Sequence, residues 1–381
     1  MKRAMIAWLA LFGLLCVSVW VGAQTAELTM WTFPEPDRLP SDLAISSDGE
    51  IYMAFYLGVS IGRLDPEANT LVEWALEDSP SHLAITSDGI FYTQPNSSAL
   101  GFLDPDLTYT LVWPVPAGGS YPNYLLPTDQ GSGYVNIYIS ERRSGKIALF
   151  EPETIEFRSF AGVPRVPVPL IPLSTNLTPA VETVVPLVVE AADPFAPPFE
   201  QATPVETAPF REWTPTFQGE IGYIDGLALG GDGGIWFSQG LEPYVSVLIP
   251  WDDLIARYAL PEGTSPGPLA AAPDESIWLA DISRPSRIGR LQMETGDVEL
   301  WEVPDGLQPY AFAFDEAEDV WFSDREMDAI YRFDPDSNTF TWWVLPLGTH
   351  PLTIAESEPG TFWFVSEGLN AVGRLVISEL D

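Results

Sequence analysis

The sequence predicts an all-β fold, a seven-bladed β-propeller of four-stranded blades whose last blade is closed by the N-terminal strand. Three observations predict it. A short motif recurs seven times at propeller spacing, four strand patterns surround each copy, and a strand near the N-terminus has the pattern that the last copy lacks.

The motif is Ile61-Gly62-Arg63-Leu64-Asp65-Pro66. It returns as Leu100-Gly101-Phe102-Leu103-Asp104-Pro105, Ile147-Ala148-Leu149-Phe150-Glu151-Pro152, Val245-Ser246-Val247-Leu248, Ile288-Gly289-Arg290-Leu291, Ile330-Tyr331-Arg332-Phe333-Asp334-Pro335 and Val372-Gly373-Arg374-Leu375. Apart from one insertion, the copies lie roughly 40 to 47 residues apart, the period of a propeller blade. Each forms the third strand of a unit. The first strand has starts such as Pro40 to Ile45 and Pro80 to Ile85, followed by Asp48-Gly49, Asp88-Gly89 or Asp232-Gly233, residues that tolerate the positive φ of a hairpin turn. The second strand is aromatic, as in Ile235-Trp236-Phe237 and Val320-Trp321-Phe322. The fourth alternates, as in Leu71-Val72-Glu73-Trp74, which is the period of a half-buried strand. The tryptophans recur at equivalent strand positions, so they read as packing between blades. The seventh unit stops soon after its third strand, and Leu28 to Pro34 has the fourth-strand pattern; pairing the two closes the ring and removes two open sheet edges.

The N-terminus reads as a signal peptide over residues 1–23. Lys2 and Arg3 precede an apolar run from Ala4 to Trp20, and Val21-Gly22-Ala23 supplies small residues for cleavage. A retained membrane anchor is the alternative, since the run is nearly long enough to span a bilayer. The sole cysteine, Cys16, lies inside this segment, so the exported chain has neither disulfide nor thiolate site. The propeller then occupies 24–381, and the chain is expected to be secreted, periplasmic or displayed at the cell surface, as a monomer with no further membrane contact. The net charge of −37 becomes −39 once Lys2 and Arg3 are removed, and Lys146 is the one lysine left. Such a surface repels nucleic acid and anionic membranes. Either a solvated exterior or a cationic ligand accounts for it.

Residues 163–215 break the pattern with many prolines and almost no aromatics before Phe195. Proline removes ladder donors, so this stretch reads as a partly disordered surface insertion between units three and four, serving as a spacer or as a partner-binding arm. Asn96-Ser97-Ser98 and Asn176-Leu177-Thr178 fit the glycosylation sequon.

In a propeller the entries of the first strands and the ends of the second strands surround one mouth of the channel. The entries hold Asp42, His82, Asn123, Asp225 and Tyr310; the second-strand ends hold Gln94, Glu141, Gln239, Asp281, Asp324 and Glu367. Asp42, Asn123, Asp225, Gln239, Tyr310 and Asp324 are the candidate ligand-binding residues. Asp225, Asp281 and Glu367 are candidates for a Mg²⁺ or Ca²⁺ site, since hard cations take oxygen ligands. The alternative is that these acids simply end strands at a solvated rim. His82 and His350 are the two histidines, too few for a histidine-rich zinc site. Each is a candidate general base, with a structural histidine as the alternative. Nucleophile elbow, phosphate loop, zinc-protease helix and dinucleotide fingerprint are all absent from the sequence.

The unit, with Asp-Gly, then Trp-Phe-Ser, then Ile-Gly-Arg-Leu-Asp-Pro, resembles the virginiamycin B lyase (streptogramin lyase) family over nearly the whole chain after the signal, apart from the proline-rich stretch. The resemblance implies the same seven blades and the same strand-exchange closure. It also implies an enzyme that linearises a cyclic depsipeptide by elimination at its ester with Mg²⁺, using histidines at strand-one entries of neighbouring C-terminal blades. Here those entries are Pro309-Tyr310 and His350-Pro351-Leu352, so Tyr310 and Leu352 stand in place of the two histidines. His350 falls where the family has an acid, and Glu367 lies near its second acid. Two functions follow as expectations. One is a binding or interaction propeller for a small molecule or protein, without the lyase activity. The other is a divalent-metal-dependent lyase or lactonase, for which a gluconolactonase-like trio of Asn123, Asp225 and Glu367 would have to meet.

Overall fold

A computed structural model describes residues 25–33, 38–106, 108–129, 135–151, 160–161, 168–184, 186–189, 199–201, 205–207, 209–216, 221–240, 242–304 and 307–378. The expected signal peptide lies outside the described residues, among which no helix is long and apolar enough to cross a membrane. The chain forms seven antiparallel sheets arranged as propeller blades. Blade 1 is Pro40–Ile45, Ile51–Phe55, Ser60–Asp65 and Thr70–Ala75; blade 2 runs from Leu83–Ile85 to Tyr109–Pro114. Blade 3 is Pro122–Asp129, Val135–Glu141, Lys146–Phe150 and Phe210–Trp213. Blades 4, 5 and 6 begin at Ile224–Leu229, Pro266–Ala271 and Pro309–Phe314, and blade 7 is Pro351–Glu358, Thr361–Ser366 and Ala371–Ile377. Its fourth strand is Ala26–Thr32, which pairs with Ala371–Ile377 from Ala26↔Ile377 to Thr32↔Ala371.

Packing explains the motif. The second- and fourth-strand tryptophans of one blade stack, with ring centroids 5.4 Å apart for Trp278 and Trp301 and 5.3 Å for both Trp321–Trp343 and Trp31–Trp363. The arginine of the third strand lies over them: Arg290 is 5.9 and 5.8 Å from Trp278 and Trp301, and Arg374 is 5.5 and 5.6 Å from Trp31 and Trp363. Such cation–π contacts add about 0.5–1 kcal/mol each where partly exposed. The motif glycine leaves room for the second-strand ring: a Cβ at Gly62, Gly101 or Gly373 would overlap Phe55, Tyr92 or Phe364.

The proline-rich stretch departs from the expectation. It falls inside blade 3, between its third and fourth strands, and its described pieces add an outermost fifth strand to every sheet. Phe160–Ala161 pairs with blade 2, Val168–Pro169 with blade 1, Pro172–Leu177 with blade 7 and Ala180–Thr183 with blade 6. Leu187–Val189 pairs with blade 5 and Phe199–Gln201 with blade 4, and Val205–Thr207 returns to blade 3. The segment therefore circles the propeller against the order of the blades. Proline is tolerated because this is the edge strand, where a missing N–H costs no ladder bond. Leu170 anchors it, buried with Trp31 and Leu71 and donating its N–H to Asn69 O at 2.7 Å. Val184 donates to Asn338 O at 2.8 Å in the same way.

Candidate functional site

A cavity of about 1200 Å³ opens at the mouth formed by the strand-one entries and the turns between strands two and three. One local device builds its wall. In six blades the pairing of strand one with strand two shifts register at its start, between Pro40 and Asp42, Pro122 and Leu125, Ile224 and Gly226, Pro266 and Leu269, Pro309 and Phe312, and Pro351 and Ile354. Such bulges bend a strand and re-aim the extra residues. The residues inside these shifts include Ser41, Asn123, Tyr124, Asp225, Tyr310 and Leu352, all on the cavity wall. Leu39, Tyr121 and His350, each just before a proline, hold φ of 50°, 57° and 45°, a left-handed conformation that costs non-glycine residues energy.

Of the ligand-binding candidates, Asn123, Asp225 and Tyr310 line the cavity, whereas Asp42, Gln239 and Asp324 lie in the protein beneath the wall. Buried acids at these positions satisfy backbone N–H groups of the connecting loops and of a neighbouring blade instead. Asp324 accepts from Gln308 N at 2.6 Å and from Glu326 N and Met327 N at 2.8 Å. Asp281 likewise accepts from Ser265 N and Ser283 N at 2.9 and 3.0 Å. Gln94 donates to Asp78 O at 3.2 Å. Asp42 accepts from Leu83 N at 2.8 Å and from the Thr353 hydroxyl, pinning blades 1, 2 and 7 together. Second-strand ends thus serve the connecting loops.

The three candidate metal ligands are not brought together. Each faces a guanidinium instead: Asp225 meets Arg142 Nε at 3.0 Å, Asp281 meets Arg287 Nε at 2.6 Å, and Glu367 meets Arg325 Nη2 at 2.5 Å. Among the described residues no group of three or more His, Cys, Asp or Glu side chains is placed to hold a metal ion. This donor set, engaged by arginines, does not fit Mg²⁺ or Ca²⁺. Asn123 and Asp225 share the wall with Glu367, but the two carboxylates are committed to arginines on different blades.

Both histidines reach the cavity. His350 is half exposed, and its Nδ1 donates to Arg325 O at 2.8 Å. His82 has Nδ1 at 3.2 Å from Ser81 Oγ and its ring 4.9 Å from that of Tyr124. Burial lowers the His82 pKa against the opposing pull of the Asp42 carboxylate, and burial raises that of Asp42. Burial also raises the phenols of Tyr124 and Tyr310, which therefore stay protonated as donors facing the cavity. Sequence reasoning missed Arg142 and Arg325, each one residue past a second-strand end. It also missed the wall tyrosines Tyr56, Tyr121 and Tyr124.

Residues 216–379, spanning blades 4 to 7, match the family model of the virginiamycin B lyase family, as the sequence leads one to expect. No curated protein matches the chain. Among solved structures, the chain is similar to selenomethionine-substituted virginiamycin B lyase from Staphylococcus aureus, with TM-score 0.69 and 16% identity over 93% of this chain and 100% of that one. A catalytically inactive form of virginiamycin B lyase from Staphylococcus aureus with quinupristin gives TM-score 0.69 at 15% identity, covering 93% of this chain and 100% of that one. YCF48 bound to D1 peptide gives TM-score 0.59 at 9% identity, covering 92% and 97%. At these identities the structural likeness is one of fold.

Proposed function

We propose that this chain is an exported binding propeller that takes a peptide-like organic ligand in the mouth of its channel and does not turn it over. The observation that carries the reading is the mouth itself. A cavity of about 1200 Å³ is walled by Tyr56, Tyr121, Tyr124 and Tyr310, by prolines and by Leu39, Ile282 and Leu352. It exceeds the usual small-molecule site of roughly 300–1,000 Å³, and it combines aromatic faces with scattered polar groups, as peptide recognition requires. The structural relatives support the ligand class, since one holds quinupristin and another a peptide. Two features support the lack of turnover: Tyr310 and Leu352 occupy the entries where the family resemblance implies histidines, and Asp225, Asp281 and Glu367 are engaged by arginines.

A second reading, a lyase or lactonase with His82 as base, is favoured by one observation, the place of His82 on the cavity wall. Titration calorimetry of residues 24–381 with quinupristin, and with a pool of N-acetylated nonapeptides rich in tyrosine and leucine, distinguishes the two. Saturable binding is expected, about tenfold weaker for Tyr310→Ala, with no ring-opened quinupristin on chromatography and no change of melting temperature on adding EDTA or Mg²⁺. Lack of binding to either probe overturns the binding reading; a ring-opened product that disappears in His82→Ala establishes the enzyme.

A further inference from the structure

The mouth contains two guanidiniums with donors to spare. Arg142 lies on the turn of blade 3 and Arg325 on that of blade 6, so in a ring of seven they stand on opposite sides of the axis. Their side chains are 52% and 48% exposed, and both line the cavity. Among the described residues, the side chain of Arg142 makes one polar contact, through Nε to Asp225, and that of Arg325 one, through Nη2 to Glu367. A guanidinium carries five N–H donors in a planar fork, so each keeps an edge free toward the cavity. Most other arginines are engaged. Arg38 pairs with Glu73 inside blade 1, Arg287 with Asp281, and Arg290 and Arg374 lie over tryptophans.

Resting on the proposed binding function, we infer that the mouth selects its ligand by a carboxylate clamped between Arg142 and Arg325, so that the ligand is a peptide with a free C-terminal carboxylate or an acidic side chain. Arg–carboxylate pairing is bidentate and charge-assisted, about twice as strong as a neutral hydrogen bond. Asp225 and Glu367 hold the two forks in place, and the His350 imidazole, bonded to the Arg325 carbonyl, fixes the second turn. The protonated phenols of Tyr124 and Tyr310 provide further donors on the same wall. The net charge of −37 does not forbid an anion here. Many of the acids, among them Asp48, Asp65, Asp274, Asp315 and Asp334, sit in turns on the opposite face, while the mouth sets Asp225, Glu326 and Glu367 beside its two arginines. Six-residue strands separate that face from the mouth by about 20 Å, more than two Debye lengths at physiological salt.

The test uses the nonapeptide pool as free acids, as C-terminal amides, and as amides with one internal aspartate, titrated into residues 24–381. Free acids are expected to bind at least about tenfold tighter than plain amides at low salt, with the gap narrowing as salt rises. The aspartate series shows which kind of carboxylate is preferred. Arg142→Gln and Arg325→Gln, checked for folding by their melts, are each expected to bring the ratio of free-acid to amide affinity down towards one. Equal binding of all forms to the wild type, a measurement that needs no variant, overturns the clamp and leaves the binding function standing; so does a gap that survives both substitutions. If no form binds, both fall.

Discussion

At the scale of single residues, the most consequential group outside the cavity wall is Glu141. It is fully buried at the end of the second strand of blade 3, accepts from the Ser144 hydroxyl at 2.6 Å and packs against Glu212, which Lys146 contacts at 2.8 Å. A side-chain hydrogen bond with Glu212 favours its protonated form. Burial, and then Glu212, push its pKa up from 4.5 to about 8. Between these values the folded chain binds a proton that the unfolded chain has released, so this group lowers stability as pH rises through that window, and the loss is complete above about 8. Glu141→Gln removes the titration. In urea melts it is expected to be the more stable protein at pH 9, by on the order of 2 kcal/mol, with little difference at pH 5; an unchanged pH slope would show that the proton sits elsewhere. Residues of this kind were only half legible in the sequence. Strand-entry logic put Asn123, Asp225 and Tyr310 at the channel mouth, because a blade repeat fixes which residues face the axis, and all three line the cavity. It gave no sign that Asp42, Gln239 and Asp324 are buried, because local turn geometry decides whether a polar side chain at a strand end faces the cavity or the loops beneath it, and no alternation pattern carries that information.

At the scale of elements, the third-strand motif is a packing rule written in sequence. Its glycine lets the second-strand ring lie flat on the third strand, and its arginine covers the tryptophans on either side. Gly373→Ala puts a methyl group into the Phe364 ring and is expected to cost about 1–3 kcal/mol. A urea midpoint equal to that of the wild type would mean that blade 7 can reshape around it. This rule is why the blades and the closing strand could be read directly. The circling segment could not. Its strands are two to six residues long, they carry prolines, and Ile171 and Leu173 point to solvent. Their conformation is imposed by the sheet edges they join, a tertiary effect that outweighs local propensity.

At the scale of the whole molecule, the circling segment acts as a hoop. Pro172–Leu177 pairs along most of the closing strand Ala26–Thr32, so that strand is bonded on both edges. A protease site inserted between Thr178 and Pro179, in the exposed link between two hoop strands, allows the hoop to be cut in the folded protein. The cut form is expected to stay assembled on a native gel but to unfold at least about tenfold faster at a fixed elevated temperature. Equal unfolding rates would reduce the hoop to decoration.

The hoop also sets an order in time. It lies in the middle of the chain, yet it pairs with the strand nearest the N-terminus and, in blades 4 to 7, with sheets made after it. During synthesis, residues 160–207 must wait, unpaired on most of their length, until blade 7 exists and Ala26–Thr32 has joined it. A segment rich in proline is suited to that wait, because it gives premature partners few backbone donors with which to aggregate.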